Sequence, residues 1–142
     1  MYREEMLLDT DVIIAAIRSD RGASAEIVRR ALRQEVQIEL SVAMVLEYEA
    51  VATRDAHLIA GELTAVEAGN VIDALVALAR PVDIHFRWRP QLRDALDEMV
   101  LEAAINAQDR TIVTFNTRDF ASAASRFDVS LATPRQILEK LK

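Results

Sequence analysis

The chain has 142 residues, of which 51% are hydrophobic and 28% are charged, and this composition excludes a disordered or fibrous protein. We expect one globular domain over residues 1–142. The chain contains no cysteine, which excludes disulfide frameworks, cysteine zinc sites and thiol nucleophiles. The formal net charge of −6 argues against a broad basic face for nucleic acid. No apolar run suits a membrane span and no signal-peptide pattern is recognisable, so we expect a cytoplasmic protein with no membrane partner.

The first half of the chain alternates short apolar strands with helical patterns. Residues 6–9 form an apolar run that ends in an acid and predict a buried strand, and the alternation over 36–40 predicts a second strand. Helical spacing covers residues 12–18 and 24–33. Ser41 is a suitable N-cap for a helix that reaches about residue 53. Thr64 and Glu67 have capping-box spacing and open a helix to about residue 78.

The second half continues this alternation. Pro81 ends the preceding helix, and residues 82–86 predict a third strand. Asp94 caps a helix to about residue 107, and residues 111–114 and 129–131 predict two further strands. Thr133 and Pro134 open a C-terminal helix. The whole pattern predicts an α/β fold in which a parallel sheet of about five strands has helices on both faces. In such sheets functional residues lie beyond the carboxyl ends of the strands.

Asp9, Thr10 and Asp11 follow the first predicted strand. A charge at the end of an apolar strand is costly unless it is paired or bound to a metal ion, and Thr10 adds a hydroxyl group to the same place. The alternative interpretation is that Asp9 or Asp11 simply caps the following helix.

Two further groups of acids lie in predicted helices. Glu47 emerges from a semi-buried row of the helix after Ser41, but Glu49 has nearly as apolar a row, and a solvated face is the alternative for both. The second group crowds the start of the next helix, where the acids repel one another at i,i+4 spacing and exceed what capping requires. Its members are Asp94, Asp97, Glu98 and Glu102.

Asn116 and Asp119 follow the strand at residues 111–114, again with helix capping as the alternative. Four acid-bearing elements therefore point towards one edge of the predicted sheet. Carboxylate and amide oxygens without cysteine or clustered histidine form an all-oxygen site, which suits Mg²⁺ or Mn²⁺. Such sites serve phosphoryl chemistry, because the metal ion lowers the pKa of a water molecule and stabilises the oxygens of an in-line displacement.

Three segments of the sequence resemble a known family. They are LDTD at residues 8–11, SVAMVLE at 41–47, and the block that runs from RWRP at 87–90 to IVTFNTRDF at 112–120. Together they resemble PIN-domain ribonucleases, in particular the toxins of VapBC-type toxin–antitoxin pairs, over essentially the whole chain. The resemblance implies a three-layer α/β/α PIN-like domain and an Mg²⁺-dependent endoribonuclease. It also implies a homodimer and a protein antitoxin as partner.

The resemblance assigns the acids residue by residue. Asp9 matches the first acid of the family and Glu47 the second. The third falls on Asp97 or Glu98: aspartate is commoner at this position in the subgroup, which favours Asp97, whereas counting back along the chain from residue 114 favours Glu98. Both assignments stay open.

Asp119 matches the fourth acid, and Asn116 stands where many relatives carry aspartate, which weakens the second-metal side of the site. The resemblance implies that Mg²⁺, or Mn²⁺, is held by Asp9 and the Asp97/Glu98 acid, with Asn116 and Asp119 completing the rim. Glu47 would bind the metal ion or orient the attacking water.

Basic and aromatic residues near these acids are candidates for contact with RNA. Arginines could hold phosphates locally on an acidic protein, although a solvated face or ion pairs with nearby acids are as plausible for them. Trp88 could stack on a base, although packing in a core or a dimer contact is the commoner role of such a residue. The candidate substrate contacts are Thr10, Arg87, Arg89, Arg93 and Arg118.

The sequence is also compatible with two alternative functions. The Asp9-Thr10-Asp11 opening is similar to that of haloacid-dehalogenase-like phosphatases, in which Asp9 would be the nucleophile and Asp11 the general acid. That mechanism also needs a lysine beside the phosphate, and no lysine precedes Lys140. The second alternative is a PIN-like scaffold that binds RNA or protein without cutting, which the asparagine at position 116 leaves open.

Overall fold

The computed structural model describes residues 3–85, 91–92 and 94–141, and these residues form five strands and eight helices. The strands are β1 (Glu5–Leu8), β2 (Gln37–Leu40), β3 (Arg80–Pro81), β4 (Thr111–Val113) and β5 (Ser130–Ala132). The helices are α1 (Thr10–Arg18), α2 (Ala23–Leu32), α3 (Val42–Ala52), α4 (Asp55–Gly61), α5 (Ala65–Leu78), α6 (Ala95–Asn106), α7 (Thr117–Phe127) and α8 (Pro134–Lys140).

The five strands form one parallel sheet in the order β3-β2-β1-β4-β5. Leu8 lies opposite Val113 in the register of β1 and β4, so the carboxyl ends of these two strands lie at the same height. The chain leaves β1 towards β2 and β3 on one side, while β4 and β5 lie on the other side. The strand order therefore reverses between β1 and β4, and the loops that leave these two strands diverge around a crevice.

Helices cover both faces of the sheet, which confirms the predicted three-layer α/β/α fold. Because parallel crossovers are right-handed, the connections from β1 to β3 place α1–α5 on one face, and the connections to β4 and β5 place α6 and α7 on the other. Contacts among α1, α2, α3 and α5, and between α6 and α7, agree with this division. The central strands are buried from both sides, as the apolar runs predicted; Leu7, Leu8, Ile112 and Val113 are fully buried.

The hydrogen bonds of the N-terminal caps confirm where several of the predicted helices begin. The Ser41 hydroxyl accepts the N–H of Met44 at 3.3 Å and begins α3. Thr64 and Glu67 form a reciprocal capping box at the start of α5, with distances of 3.0 and 3.1 Å. A second capping box at Thr133, followed by proline at the first helical position, begins α8.

The third strand was predicted in the wrong place. It covers Arg80–Pro81 rather than residues 82–86, and after the Val82 N–H has bonded the Leu40 carbonyl at 2.9 Å the pairing stops. The physical reason is that β2 ends at Leu40 and the chain turns into α3, so that no neighbouring strand continues beside residues 83–85. Residue 86 lies outside the described residues. Helices α4 and α7 were not predicted from the sequence.

Within the described residues, no helix combines the length and the hydropathy that crossing a membrane requires.

Candidate functional site

Asp9 lies at the carboxyl end of β1, and its hydrogen bonds connect this strand to the end of β4. Its side chain is buried; one carboxylate oxygen, Oδ1, accepts the N–H of Thr10 at 2.8 Å, and the other, Oδ2, accepts the hydroxyl of Thr114 at 2.7 Å. The first bond caps α1, as the capping interpretation expected. The second bond needs a residue 105 positions away and is not part of any cap. Asp9 is therefore fixed at the crevice between the two strands where the strand order reverses.

Asp11 organises the turn that follows β4. Its Oδ2 atom accepts the Phe115 N–H at 3.0 Å and the Asn116 side-chain amide at 3.3 Å, and lies 3.3 Å from the Thr114 hydroxyl. The Asn116 N–H in turn donates to the Thr114 hydroxyl at 3.0 Å. Asn116 occupies the N-cap position of α7 but its side chain makes no capping hydrogen bond, so the capping interpretation of this residue is wrong. Its amide instead faces the carboxylates of the β1 turn.

Acidic residues at the starts of α6 and α7 act electrostatically on one another and on Asp9. Burial, and next the charge of Asp11, raises the pKa of Asp9 to about 6. Burial, followed by the charges of Asp9, Asp94 and Asp119, also raises the pKa of Asp97 to about 6. The structure therefore brings together acids from the β1 turn, the start of α6 and the start of α7. Asp94 caps α6 through the Leu96 N–H at 2.9 Å, while Asp119 is exposed.

Glu98 has a different environment from its neighbour Asp97. Its buried carboxylate accepts the backbone N–H groups of Gln91 and Leu92, the latter at 2.6 Å. Consecutive helix residues point about 100° apart, so the two side chains cannot both face Asp9. The charge of Asp9 raises the pKa of Asp97, whereas Glu98 holds the segment that leads into α6.

Glu47 lies half-buried on α3, and its side chain makes no hydrogen bond or ion pair with another described residue. The helix itself is anchored close to Asp9, because the fully buried hydroxyl of Tyr48 donates to the carbonyl of Leu8, the last residue of β1. Glu49, the alternative that periodicity left open, is exposed. The structure thus places Glu47 on a helix that contacts the Asp9 strand, without a direct bond between the two acids.

An open cleft of about 610 Å³ lies between the start of α6 and the start of α7. Arg118 lines it and makes no hydrogen bond or ion pair with a described residue. Arg126 donates to the Gln91 side chain at 2.7 Å beside the same cleft. The other lining residues are Gln91, Leu92, Asp94, Asp97, Asp119 and Ser122. The predicted contacts Arg87, Arg89, Arg93 and Trp88 lie outside the described residues.

The chemistry of these side chains fits a hard divalent cation. Within residues 3–85, 91–92 and 94–141, no three histidine or acidic side chains converge closely enough to chelate an ion as they stand. However, Oδ1 of Asp11 is buried without a hydrogen-bond partner. Burial, and next repulsion from neighbouring acids, also disfavour the charged forms of Asp9 and Asp97. A bound cation would supply the missing partner and relieve this repulsion, and Mg²⁺ prefers oxygen ligands of this kind.

Three residues around the site were not identified from the sequence. Thr114 joins both aspartates of the β1 turn, Tyr48 bonds the end of β1, and Phe115 is a half-exposed aromatic residue beside the Asp11 carboxylate. Thr114 is the last residue of a predicted strand and could have been found by the strand-end rule that identified Asp9. No sequence signal indicates Tyr48, because a tyrosine in an apolar helical row is indistinguishable from an ordinary core residue.

The chain matches a known protein family. A family model described as the PIN domain matches residues 5–118, which is most of the chain and includes every acid of the site except Asp119. A search of the curated proteins finds no match. PIN domains are in general nucleases, and they typically use divalent metal ions.

Proposed function

This chain belongs to the PIN domain family, and we propose that it is an Mg²⁺-dependent endoribonuclease that acts as the toxin of a toxin–antitoxin pair. The observation that carries the nuclease part is the electrostatic contact between Asp9 and Asp97. These acids come from elements far apart in the sequence: the charge of Asp9 raises the pKa of Asp97, and the charge of Asp97 raises the pKa of Asp11 beside Asp9. Repelling carboxylates are costly to a fold, and a cation that joins them explains their presence.

Asp9 and Asp97 would hold the metal ion, with Asp119 and Asn116 completing the rim. Bound Mg²⁺ would lower the pKa of a water molecule and stabilise the negative charge that develops on the phosphate. Glu98 was an alternative to Asp97, but its carboxylate already accepts two backbone N–H groups, which favours Asp97 as the third acid of the site. Mn²⁺ would serve in place of Mg²⁺, because the ligands are all oxygen atoms.

Glu47 would bind the metal ion or orient the attacking water, since it is half-buried and has no partner among the described residues. Thr10 lies at the first position of α1, where its hydroxyl group and the positive end of the helix dipole favour a phosphate oxygen.

RNA would enter along the cleft between α6 and α7. Arg118 lines this cleft and would hold a phosphate, which lets an acidic protein bind a polyanion locally. Phe115 is 51% exposed beside the acids and would stack on an unpaired base. Arg87 and Arg89 remain candidate phosphate contacts of the same substrate.

The toxin role rests on the resemblance of residues 8–11, 41–47 and 87–120 to VapBC-type toxins rather than on the geometry of the site. It implies a cognate antitoxin protein, a homodimer and a cytoplasmic setting. Co-expression with the reading frame beside the gene tests it: growth arrest on expression of this chain alone, relieved by the neighbour, is expected.

The nuclease proposal is tested with purified protein, a single-stranded RNA oligonucleotide and a phosphomonoester, each with Mg²⁺, Mn²⁺ or a chelator. We expect metal-dependent cleavage of the RNA that is abolished in Asp9→Asn. Asp73→Asn is the matched control, because Asp73 is an exposed aspartate on α5 outside the cleft. Circular dichroism of both variants checks that they are folded.

The other outcomes identify the alternatives. Phosphate release from the monoester would support the haloacid-dehalogenase-like reaction in place of the nuclease. RNA binding without cleavage in any metal ion would support a non-catalytic scaffold.

A further inference from the structure

Tyr48 is a buried polar residue to which the proposed reaction gives no role. Its side chain is fully buried, and its hydroxyl donates to the carbonyl of Leu8 across 40 positions of sequence. Leu8 is the residue before Asp9, and Tyr48 is the residue after Glu47. The bond therefore joins the strand that immediately precedes one proposed site acid to the helix that carries another.

The Leu8 carbonyl needs this donor because the β1–β2 ladder ends beside it. Alternate carbonyls of β1 point towards β2, as shown by the bond from the Gln37 N–H to the Glu4 carbonyl at 2.8 Å. Leu8 is the last strand residue with this orientation, since the Asp9 N–H points the other way and bonds the Val113 carbonyl. However, β2 ends at Leu40, where Ser41 caps α3 and turns the chain away. A buried carbonyl without a donor is costly, and the phenol of Tyr48 supplies one.

The hydroxyl group of Tyr48 is suited to act only as a donor. Burial, and then the charges of Asp9 and Asp11, raise the pKa of Tyr48 well above its usual value, so that the phenol keeps its proton. Because Leu8 precedes Asp9, the bond also holds the ring next to the turn that carries this proposed metal ligand. Phenylalanine at this position would keep the ring and its packing but would leave the Leu8 carbonyl unpaired.

We propose that Tyr48 is a positioning residue, whose bond to Leu8 fixes Asp9 relative to the Glu47 helix in the arrangement that binds the metal ion. The expected effect on metal binding rests on the proposed function, whereas the hydrogen bond between Tyr48 and Leu8 does not. Groups that orient metal ligands through a second bond typically affect metal affinity by about 10- to 100-fold. Loss of the Tyr48 hydroxyl group should therefore weaken metal binding more than it weakens the fold.

The test compares full-length Tyr48→Phe with wild type and with Ile27→Val. Ile27 is a fully buried residue of α2, so this variant is a control for a small loss of core stability. Calorimetric titration with Mn²⁺ should show about tenfold weaker binding for Tyr48→Phe and an unchanged affinity for Ile27→Val. With RNA, Tyr48→Phe should lower kcat and leave KM within about twofold, because the substrate cleft is untouched.

Hydrogen exchange of the Asp9 and Thr10 amides supplies a readout that needs neither metal nor RNA. We expect faster exchange at these amides in Tyr48→Phe than in Ile27→Val at equal global stability. Unchanged exchange at both amides, or an Mn²⁺ affinity equal to that of wild type, would overturn the proposal. If wild type itself neither bound Mn²⁺ nor cleaved RNA, the proposed function would fail, and the metal-positioning role would fail with it even where exchange had changed.

Discussion

Asp97 and Glu98 show how two neighbouring acids acquire different roles from their surroundings. Asp97 faces the carboxylates of the crevice, whereas Glu98 is buried against the backbone of residues 91–92. A carboxylate that is repelled by its neighbours contributes nothing to stability, while one that accepts two N–H groups in a buried place does. The proposed metal-binding role and the stabilising role therefore fall on separate side chains within a single turn of α6.

Asp97→Asn is expected to lower RNA cleavage by about 100-fold or more, because the removal of a metal ligand forfeits several kcal/mol of transition-state stabilisation. Its thermal stability should equal or exceed that of wild type, since repulsion is relieved. Glu98→Ala should instead lower the free energy of unfolding by about 2 kcal/mol, because two buried N–H groups lose their acceptor. Single-turnover cleavage and urea unfolding of both variants give the two measurements. The reverse pattern would identify Glu98 as the metal ligand.

The residue types of the site could be predicted from the sequence, but the choice between adjacent positions could not. Asp9 was found because a charge that ends an apolar strand needs a partner. At residues 97 and 98 both positions are acidic, and the choice depends on how α6 is rotated about its axis. That rotation is set by packing on the sheet. A pattern of acids in a first helical turn carries no information about this packing. Thr114 was missed because a β-branched residue is explained equally well by the strand.

At the scale of elements, the sequence indicated helix ends better than strand ends. Helices begin at local signals, such as the capping boxes at Thr64 and Thr133, and these depend only on residues a few positions apart. A strand ends where its neighbour ends, and this is a property of the fold. The third strand was misplaced for that reason, because nothing in residues 80–86 reveals that β2 stops at Leu40.

Alanine substitutions at two helical glycines are expected to change the stability of the protein in opposite directions. Gly61 ends α4, and a Cβ atom added there would overlap the backbone carbonyl of Ile17 at the end of α1. Gly69 lies inside α5, where an added Cβ would have no neighbour within 4 Å. Gly61→Ala should therefore destabilise the protein by about 2 kcal/mol, because packed backbone has to move. Gly69→Ala should stabilise it by about 0.5–1 kcal/mol through helix propensity.

Thermal melts of the two alanine variants provide the measurement, and each serves as the control for the other. RNA cleavage at a temperature at which both are folded should be unchanged, because neither glycine lines the cleft. Equal stabilities would mean that α1 and α4 do not pack as closely as described.

At the scale of the molecule, we expect the stability of the fold to depend on pH through Glu39, a residue away from the proposed site. This residue of β2 is only 1% exposed, and one of its carboxylate oxygens has no partner. Burial, and next the charge of Glu5, raises the pKa of Glu39 to about 7, while Arg80 partly opposes the shift. Because the folded state holds this proton more tightly than the unfolded state, stability is greatest below about pH 4.5 and falls as pH rises to about 7.

Glu39→Gln should remove this contribution to the pH dependence. Glutamine resembles the protonated acid, so the variant and wild type should be similarly stable at pH 5. At pH 8 the variant should be the more stable by at most about 3 kcal/mol, which corresponds to the full shift in pKa. Urea unfolding at the two pH values measures the difference, and Glu35→Gln, an exposed acid, is the control. An identical pH dependence in Glu39→Gln and wild type would show that Glu39 is charged in the fold.

The acids of the crevice predict a second linkage, between the metal ion and the stability of the whole molecule. A cation that binds the folded chain alone stabilises it by about 2.7 kcal/mol at a concentration 100 times its Kd. For a chain of this length, that gain raises Tm by roughly 10 °C. The increase should weaken below about pH 6, because protons then compete for Asp9 and Asp97, whose pKa values lie near 6. Melts with and without Mg²⁺ should therefore show a large shift at pH 7.5, a small one at pH 5, and none in Asp9→Asn. An equal shift in Asp9→Asn would place the ion elsewhere and remove the basis for the proposed nuclease site.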